Sequence, residues 1–233
     1  VLFDLDDTII DHSYSVKCTL GALWMMNADL RRFSLHEVIG KWRSSFWNYW
    51  PSVISGKMSI TMSRALRFRD LFRELGISAD PEVYTDLAID FDTLYIICVR
   101  PVSGAVPLLR ELRERGVKVG IVTNTTKEML HQKMSRCSID GLVDFAVSVE
   151  TAGKLKPDPS VFNLALTEGN AKPDETVYIG DTIKYDVMGA LFSCIKPIWF
   201  NRFNAKLPDS VKPVDTIRRF EPARVIADRI LDS

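Results

Sequence analysis

The 233-residue chain has few of the residues that build metal–thiolate centres or disulfide frameworks. Its four cysteines, Cys18, Cys98, Cys137 and Cys194, lie far apart and contain no Cys-x-x-Cys pair. They are expected to be reduced, mostly buried side chains. Only three histidines are present, His12, His36 and His131, without ligand spacing, so no zinc site is expected. There is no surplus of either charge, with 30 Lys plus Arg against 30 Asp plus Glu, and hence no global field to recruit a nucleic acid polymer or an anionic membrane. No apolar stretch is long enough for a bilayer and none has a signal-peptide layout, which points to a cytoplasmic protein without a membrane partner. Internal repeats and low-complexity linkers are absent. An initiator Met is also absent, and the first strand is expected to lack a few residues at its start.

What is present begins with Asp4-Leu5-Asp6-Asp7-Thr8, directly after the apolar run Val1-Leu2-Phe3. That run reads as a buried strand of a parallel sheet. Ligands of open α/β sheets bind at the carboxyl ends of the strands. Three carboxylates crowded there cost free energy unless a cation or substrate offsets them. One can attack as a nucleophile while its neighbour two residues on moves a proton. The plainer explanation is an acidic turn leading into a helix.

Residues 13–99 carry helical periodicity. Phe68, Leu71, Phe72 and Leu75 share one face of a helix over 59–75 that Gly76 stops. Val83, Leu87, Phe91 and Leu94 repeat the pattern over 80–97, and residues 34–50 read as a helix closed by Pro51. From Ser103 strands and helices alternate: a helix over 104–115, a strand over 117–122, a helix to Arg136 and a strand over 145–149. Asp158 and Pro159 then start a helix as N-cap and first residue. A strand over 176–179, a helix to Phe192, a last strand over 197–200 and a helix over 223–231 follow. The expected fold is α/β: a Rossmann-like parallel sheet core of residues 1–12 and 100–233, with an all-helical domain of residues 13–99 inserted.

Polar residues terminate three of the apolar strands: Asp4 and Asp6, Thr123 and Asn124, Asp181 and Asp186. Lys156 precedes a helix start. Singly, each has a bland explanation as a cap, a turn residue or a solvated cation. Parallel strands nevertheless bring their carboxyl ends to one crevice. Four acidic side chains there suggest a hard divalent cation, and carboxylates with phosphate suit Mg²⁺. Thr123 and the backbone N–H groups of the following turn offer a phosphoryl cradle, and Lys156 a neutralising charge.

In this order the motifs resemble those of the haloacid dehalogenase superfamily: Asp4-Leu5-Asp6-Asp7-Thr8, Thr123-Asn124, Lys156 before Pro157-Asp158-Pro159, and Gly180-Asp181 through Asp186. The likeness covers the whole sheet domain, and the helical block falls where the family places a type-1 cap. It implies an Mg²⁺-dependent phosphatase in which Asp4 forms an aspartyl-phosphate. Asp6 would protonate the leaving oxygen and then activate water, its backbone carbonyl helping to hold the metal. Asp181 would ligate the metal, and Asp186 would support it or orient Lys156. Thr123 and the Asn124 amide would grip the phosphoryl group. Catalytic roles thus fall to Asp4, Asp6, Thr123 and Lys156, phosphate binding to Thr123, Asn124 and Lys156, and the metal to Asp4, Asp6, Asp181 and Asp186. Asp7, where the family often has glycine, reads as a neutral variation. The superfamily's dehalogenases lack the second aspartate, so Asp6 favours phosphate hydrolysis.

The partner implied is a small phosphate ester (a nucleotide, a sugar phosphate or phosphoglycolate) bound by a monomer or homodimer. The family's cap closes over the site and contacts the leaving group. His12, Ser13 and Tyr14 are candidates for that contact; Arg43 and Arg100 could reach an anionic substrate tail, although exposed arginines usually do nothing so specific. The run Phe46-Trp47-Asn48-Tyr49-Trp50 is expected chiefly to form cap core, with a stacking surface as the alternative. Val147-Ser148-Val149-Glu150 and Trp199-Phe200-Asn201 lean toward the nucleotidase and sugar-phosphate branch. The rival functions are a phosphomutase on the same scaffold, a phospho-accepting receiver module, and a silent binding protein.

Overall fold

Leu2 and Phe3, both buried, form strand β1 (Leu2–Phe3), which is hydrogen-bonded on both edges and so lies inside the sheet. The computed structural model describes residues 1–211 and 214–232. Its chain divides into two units, one of Val1–Asp11 with Arg100–Ser233 and one of His12–Val99.

The second unit is helical: α1 (His12–Met26), α2 (Leu35–Ser44), α3 (Phe46–Ile54), α4 (Ile60–Leu75) and α5 (Pro81–Cys98). Ser34 and Ser59 cap α2 and α4 by accepting the N–H groups of Glu37 and Met62, and Gly76 ends α4 at φ 68°, where a side chain would be strained. Its aromatic core is Trp42, Phe68, Phe72, Phe91 and Tyr95, all buried. The run Phe46–Trp50 is not part of it, contrary to expectation: none of the five is buried, and Trp47 is 51% exposed. The cause is a break at Ser45, where α2 ends and α3 restarts, so the periodicity does not continue across it. Pro51 does not close the helix either. It sits inside α3 and forgoes one backbone bond, to the carbonyl of the exposed Trp47.

The first unit carries α6 (Ala105–Glu114), β2 (Gly120–Val122), α7 (Lys127–Arg136), β3 (Phe145–Val147), α8 (Val149–Ala152) and α9 (Pro159–Gly169). Then come β4 (Val177–Gly180), α10 (Met188–Phe192), β5 (Lys196–Phe200), β6 (Asp215–Ile217) and α11 (Ala223–Leu231). The six strands are all parallel, in the order β3-β2-β1-β4-β5-β6. The chain runs from β1 through β2 to β3 at one edge and then crosses to β4, from which it runs through β5 to β6 at the other, so the crevice at the carboxyl ends of β1 and β4 is the switch point where such sheets bind ligands. Strands β1, β2 and β3 are shorter than expected, β1 lacking Val1. Pairing of β2 begins only at Gly120, opposite Leu2, and β3 stops at Val147 because Ser148 caps α8. Strand β6 was not expected at all, since Asp-Thr-Ile offers no apolar run. The cysteines are free, but three are half-buried and Cys194 is exposed, so they are less buried than expected. Among the described residues no helix is long and apolar enough to cross a membrane.

Candidate active site

Asp4 leaves β1 with its N–H bonded to the carbonyl of Ile179 on β4, 2.8 Å away. The chain then tightens, with the N–H groups of Ile9 and Ile10 both donating to Leu5 O. Asp7 takes φ 62° in this loop, a conformation that Asp adopts more readily than most residues. Its carboxylate accepts a bond from Arg202 at 2.5 Å, Arg202 also donates to Asp11 at 2.7 Å, and Asp11 accepts from Arg100 at 2.9 Å. Asp7 is therefore part of an ion network. Arg100, a candidate for substrate contact, is held in the same network.

Lys156 is the centre of the site. Its side chain is 2% exposed, and its Nζ lies 2.6 Å from Asp4 Oδ1, 2.7 Å from Asp186 Oδ1, 2.8 Å from Val122 O and 2.8 Å from Tyr178 Oη. An ammonium has three N–H donors, so four acceptors share them. The Tyr178 hydroxyl in turn donates to Asp186 Oδ1 at 2.9 Å or Val122 O at 3.2 Å. Burial works against the Lys156 charge, but Asp186 and Asp4 outweigh it and raise the ammonium's pKa. The Asn124 side chain clips the backbone of Lys156 from both sides, Oδ1 accepting from its N–H at 2.7 Å and Nδ2 donating to its carbonyl at 3.2 Å.

Asp186 sits in a single π-helical turn, Ile183–Val187, inserted between β4 and α10. Its second oxygen accepts the N–H of Thr182 at 2.9 Å and the Thr182 hydroxyl at 2.6 Å, so this carboxylate has donors at both oxygens. Asp181 is different: its carboxylate has no hydrogen-bond donor among the described residues. One ligand oxygen from each of Asp4, Asp181 and Asp186 lies within 4.8 Å of the others. Burial lifts Asp4 to about 7, with Lys156 opposing and Asp186 adding to the rise. Burial, then repulsion from Asp4 and Asp186, lifts Asp181 to about 9. Such an all-oxygen cluster, with more carboxylates than one ammonium balances, fits a hard divalent cation.

Thr123 is buried at the end of β2, and its Oγ1 accepts the N–H of Thr125 at 3.2 Å, which leaves its own proton to donate. Thr126 caps α7 through the N–H of Met129. The structure thus gathers Asp4, Thr123, Asn124, Lys156, Asp181 and Asp186. The Asp6 carboxylate is not a member of that cluster, and both its oxygens lie 2.7 Å from Lys133 Nζ. Lys133 and Tyr178 went unnoticed in the sequence. Lys133 had a signal, a cation at helical spacing on the face of Met129, Leu130 and Met134, and Tyr178 had one as the sole hydroxyl-bearing side chain within β4. Of the residues named for substrate selection, His12 Nδ1 lies 2.6 Å from Tyr95 Oη, Tyr14 is exposed, and Arg43 is exposed on α2.

A six-stranded Rossmann-like sheet with an acidic switch-point crevice around a buried lysine defines the class. The family model of the haloacid dehalogenase-like hydrolases matches residues 1–191, and the chain belongs to that family. It is 30% identical to the glyceraldehyde 3-phosphate phosphatase of Methanopyrus kandleri over 82% of this chain and 78% of that one. The corresponding phosphatase of Pyrococcus furiosus is 25% identical over 86% and 79%. In fold the chain is similar to the magnesium-bound HAD-hydrolase YfnB of Bacillus subtilis, with TM-score 0.77, 22% identity and 97% of each chain covered.

Proposed function

We propose that the protein is an Mg²⁺-dependent hydrolase of small phosphate monoesters, with Asp4 as nucleophile. The observation that carries this reading is the Lys156 bridge between Asp4 and Asp186 beside an Asp181 carboxylate that has no hydrogen-bond donor among the described residues. Asp4 and Asp181 are the carboxylates with capacity left for a cation, and the Asp6 carbonyl is assigned beside them. When bound, the cation would neutralise the carboxylates and the phosphoryl oxygens together.

An Asp4 oxygen bonds to phosphorus as the ester's bridging P–O bond breaks, and Asp6 gives its proton to the departing alkoxide. In the second half, Asp6 takes a proton from water while the water oxygen bonds to phosphorus. The Asp4–phosphorus bond breaks, which releases phosphate and restores both carboxyls. Thr123 Oγ1 and the Asn124 N–H donate to the phosphoryl oxygens, and Lys156 offsets charge on Asp4 and on the transferred group. Asp186 holds Lys156 in place. The presence of Asp6 supports phosphate over halide as the group removed. The two archaeal relatives make triose phosphates the first substrates to try.

Phosphate release from a panel of triose and other sugar phosphates, nucleoside monophosphates and phosphoglycolate tests the reading. Release from at least one, abolished by EDTA and restored by Mg²⁺, is expected. No release from any of them, with a stably phosphorylated Asp4, would sink it.

A further inference from the structure

We infer that Lys133 is a positioning residue that holds the Asp6 carboxyl for its two proton transfers. The inference rests on the reading of Asp6 as the acid–base group. Lys133 projects from α7 with its side chain 3% exposed, and its Nζ reaches both oxygens of Asp6 at 2.7 Å. The neighbours of Lys133 on that face, Met129, Leu130 and Met134, are apolar and buried. An ammonium placed among them costs stability that a methionine would not, unless its ion pair serves something else. Asp6 gains what Lys133 gives up. It stands on a loop, its side chain is 28% exposed, and Asp4 close by repels its carboxylate. A buried donor that engages both oxygens fixes the torsions of such a side chain, and proton transfer depends steeply on that placement.

The consequence is a dependence on the leaving group. When a phosphate ester departs as an acidic phenol, no proton is needed as the P–O bond breaks. When it departs as a basic one, Asp6 must supply the proton. Aryl esters therefore separate positioning of Asp6 from general damage to the site. The measurement compares kcat/KM for 2,4-dinitrophenyl phosphate and phenyl phosphate in the wild type, Lys133→Met, Lys133→Arg and Asp6→Asn, with Mg²⁺ present. Lys133→Met is expected to lose about 100-fold on phenyl phosphate and no more than several-fold on the dinitrophenyl ester. Asp6→Asn should show the same pattern, and Lys133→Arg should recover part of the phenyl phosphate rate. With the dinitrophenyl ester, Lys133→Met should also release a burst of phenolate followed by slow turnover, because activation of water in the second half needs Asp6 as well.

Equal losses on both esters, or no loss on either, would overturn the role of Lys133 while leaving the hydrolase reading intact. A wild-type protein that cleaves neither ester and releases phosphate from none of the panel compounds above would remove the hydrolase reading and this inference with it. If Lys133→Met fails to fold, Lys133→Gln supplies an uncharged hydrogen-bonding side chain one bond shorter and faces the same two outcomes.

Discussion

Asp4 sits 2.6 Å from an ammonium and still has its pKa raised to about 7, because burial and the neighbouring carboxylates outweigh that attraction. Replacing it with asparagine keeps the shape and removes the nucleophilic oxygen. Asp4→Asn is therefore expected to bring phosphate release to background while the thermal midpoint falls little, which activity and melting measurements on one preparation would check. Residual turnover near wild type would place the nucleophile elsewhere. Thr8, four residues on, presents the opposite case. Its hydroxyl is fully buried and has no hydrogen-bond partner among the described residues. An unsatisfied buried hydroxyl costs about 1–3 kcal/mol, and valine has the same outline without it. Thr8→Val should leave stability unchanged or raise it by about 1 kcal/mol, read from the denaturant midpoint. A loss of that size instead would mean the hydroxyl has a bonding role in the folded state.

Gly180 closes β4 at the point where the π-helical turn folds Asp186 back against the strand. A Cβ built on Gly180 would stand 2.4 Å from Asp186 Cγ, too close for any rotamer to absorb. Gly180→Ala must therefore push Asp186 away from Lys156 and Thr182. The expected result is a loss of about 2–4 kcal/mol in stability and at least about 100-fold in turnover, by chemical denaturation and phosphate release. An alanine variant with wild-type activity would show that Asp186 does not hold Lys156 in its working position. At this scale the strand-end residues were legible, because apolar runs mark parallel strands and their ends must converge. The capped helices were legible too, with Ser59, Gly76, Asp158 and Pro159 at their boundaries. Strand lengths were not, since β2 and β3 are limited by their neighbours and by the Ser148 cap. The break at Ser45 was also hidden, because helical periodicity in Phe46–Trp50 matches a core face equally well when the helix axis changes direction. Asp6 was found by its motif, but its partner lies 127 residues away, and only the fold joins Lys133 to it.

Charge crowding at the switch point acts on the whole molecule through linkage. Carboxyls that ordinarily titrate near 3.8 are raised to about 7 at Asp4 and about 9 at Asp181, so the native state holds protons that the unfolded chain has released. Where the native state binds more protons, stability falls as pH rises. The contribution is fully present below about pH 4 and is lost as pH rises through about 7 and then about 9. Without divalent cations, the thermal midpoint should decline across that window. Mg²⁺ competes with those same protons, so the gain it brings should be small at pH 5 and larger at pH 8. Asp181→Asn removes the more strongly shifted carboxyl. It should flatten the decline and abolish most of the Mg²⁺ gain, whereas a substitution at the exposed Asp209 should do neither. Melting curves at the two pH values, with EDTA or with Mg²⁺, separate the outcomes. An Mg²⁺ gain that is equal at both, or that survives in Asp181→Asn, would mean the cation stabilises the fold from some place other than the Asp4–Asp181 carboxylates.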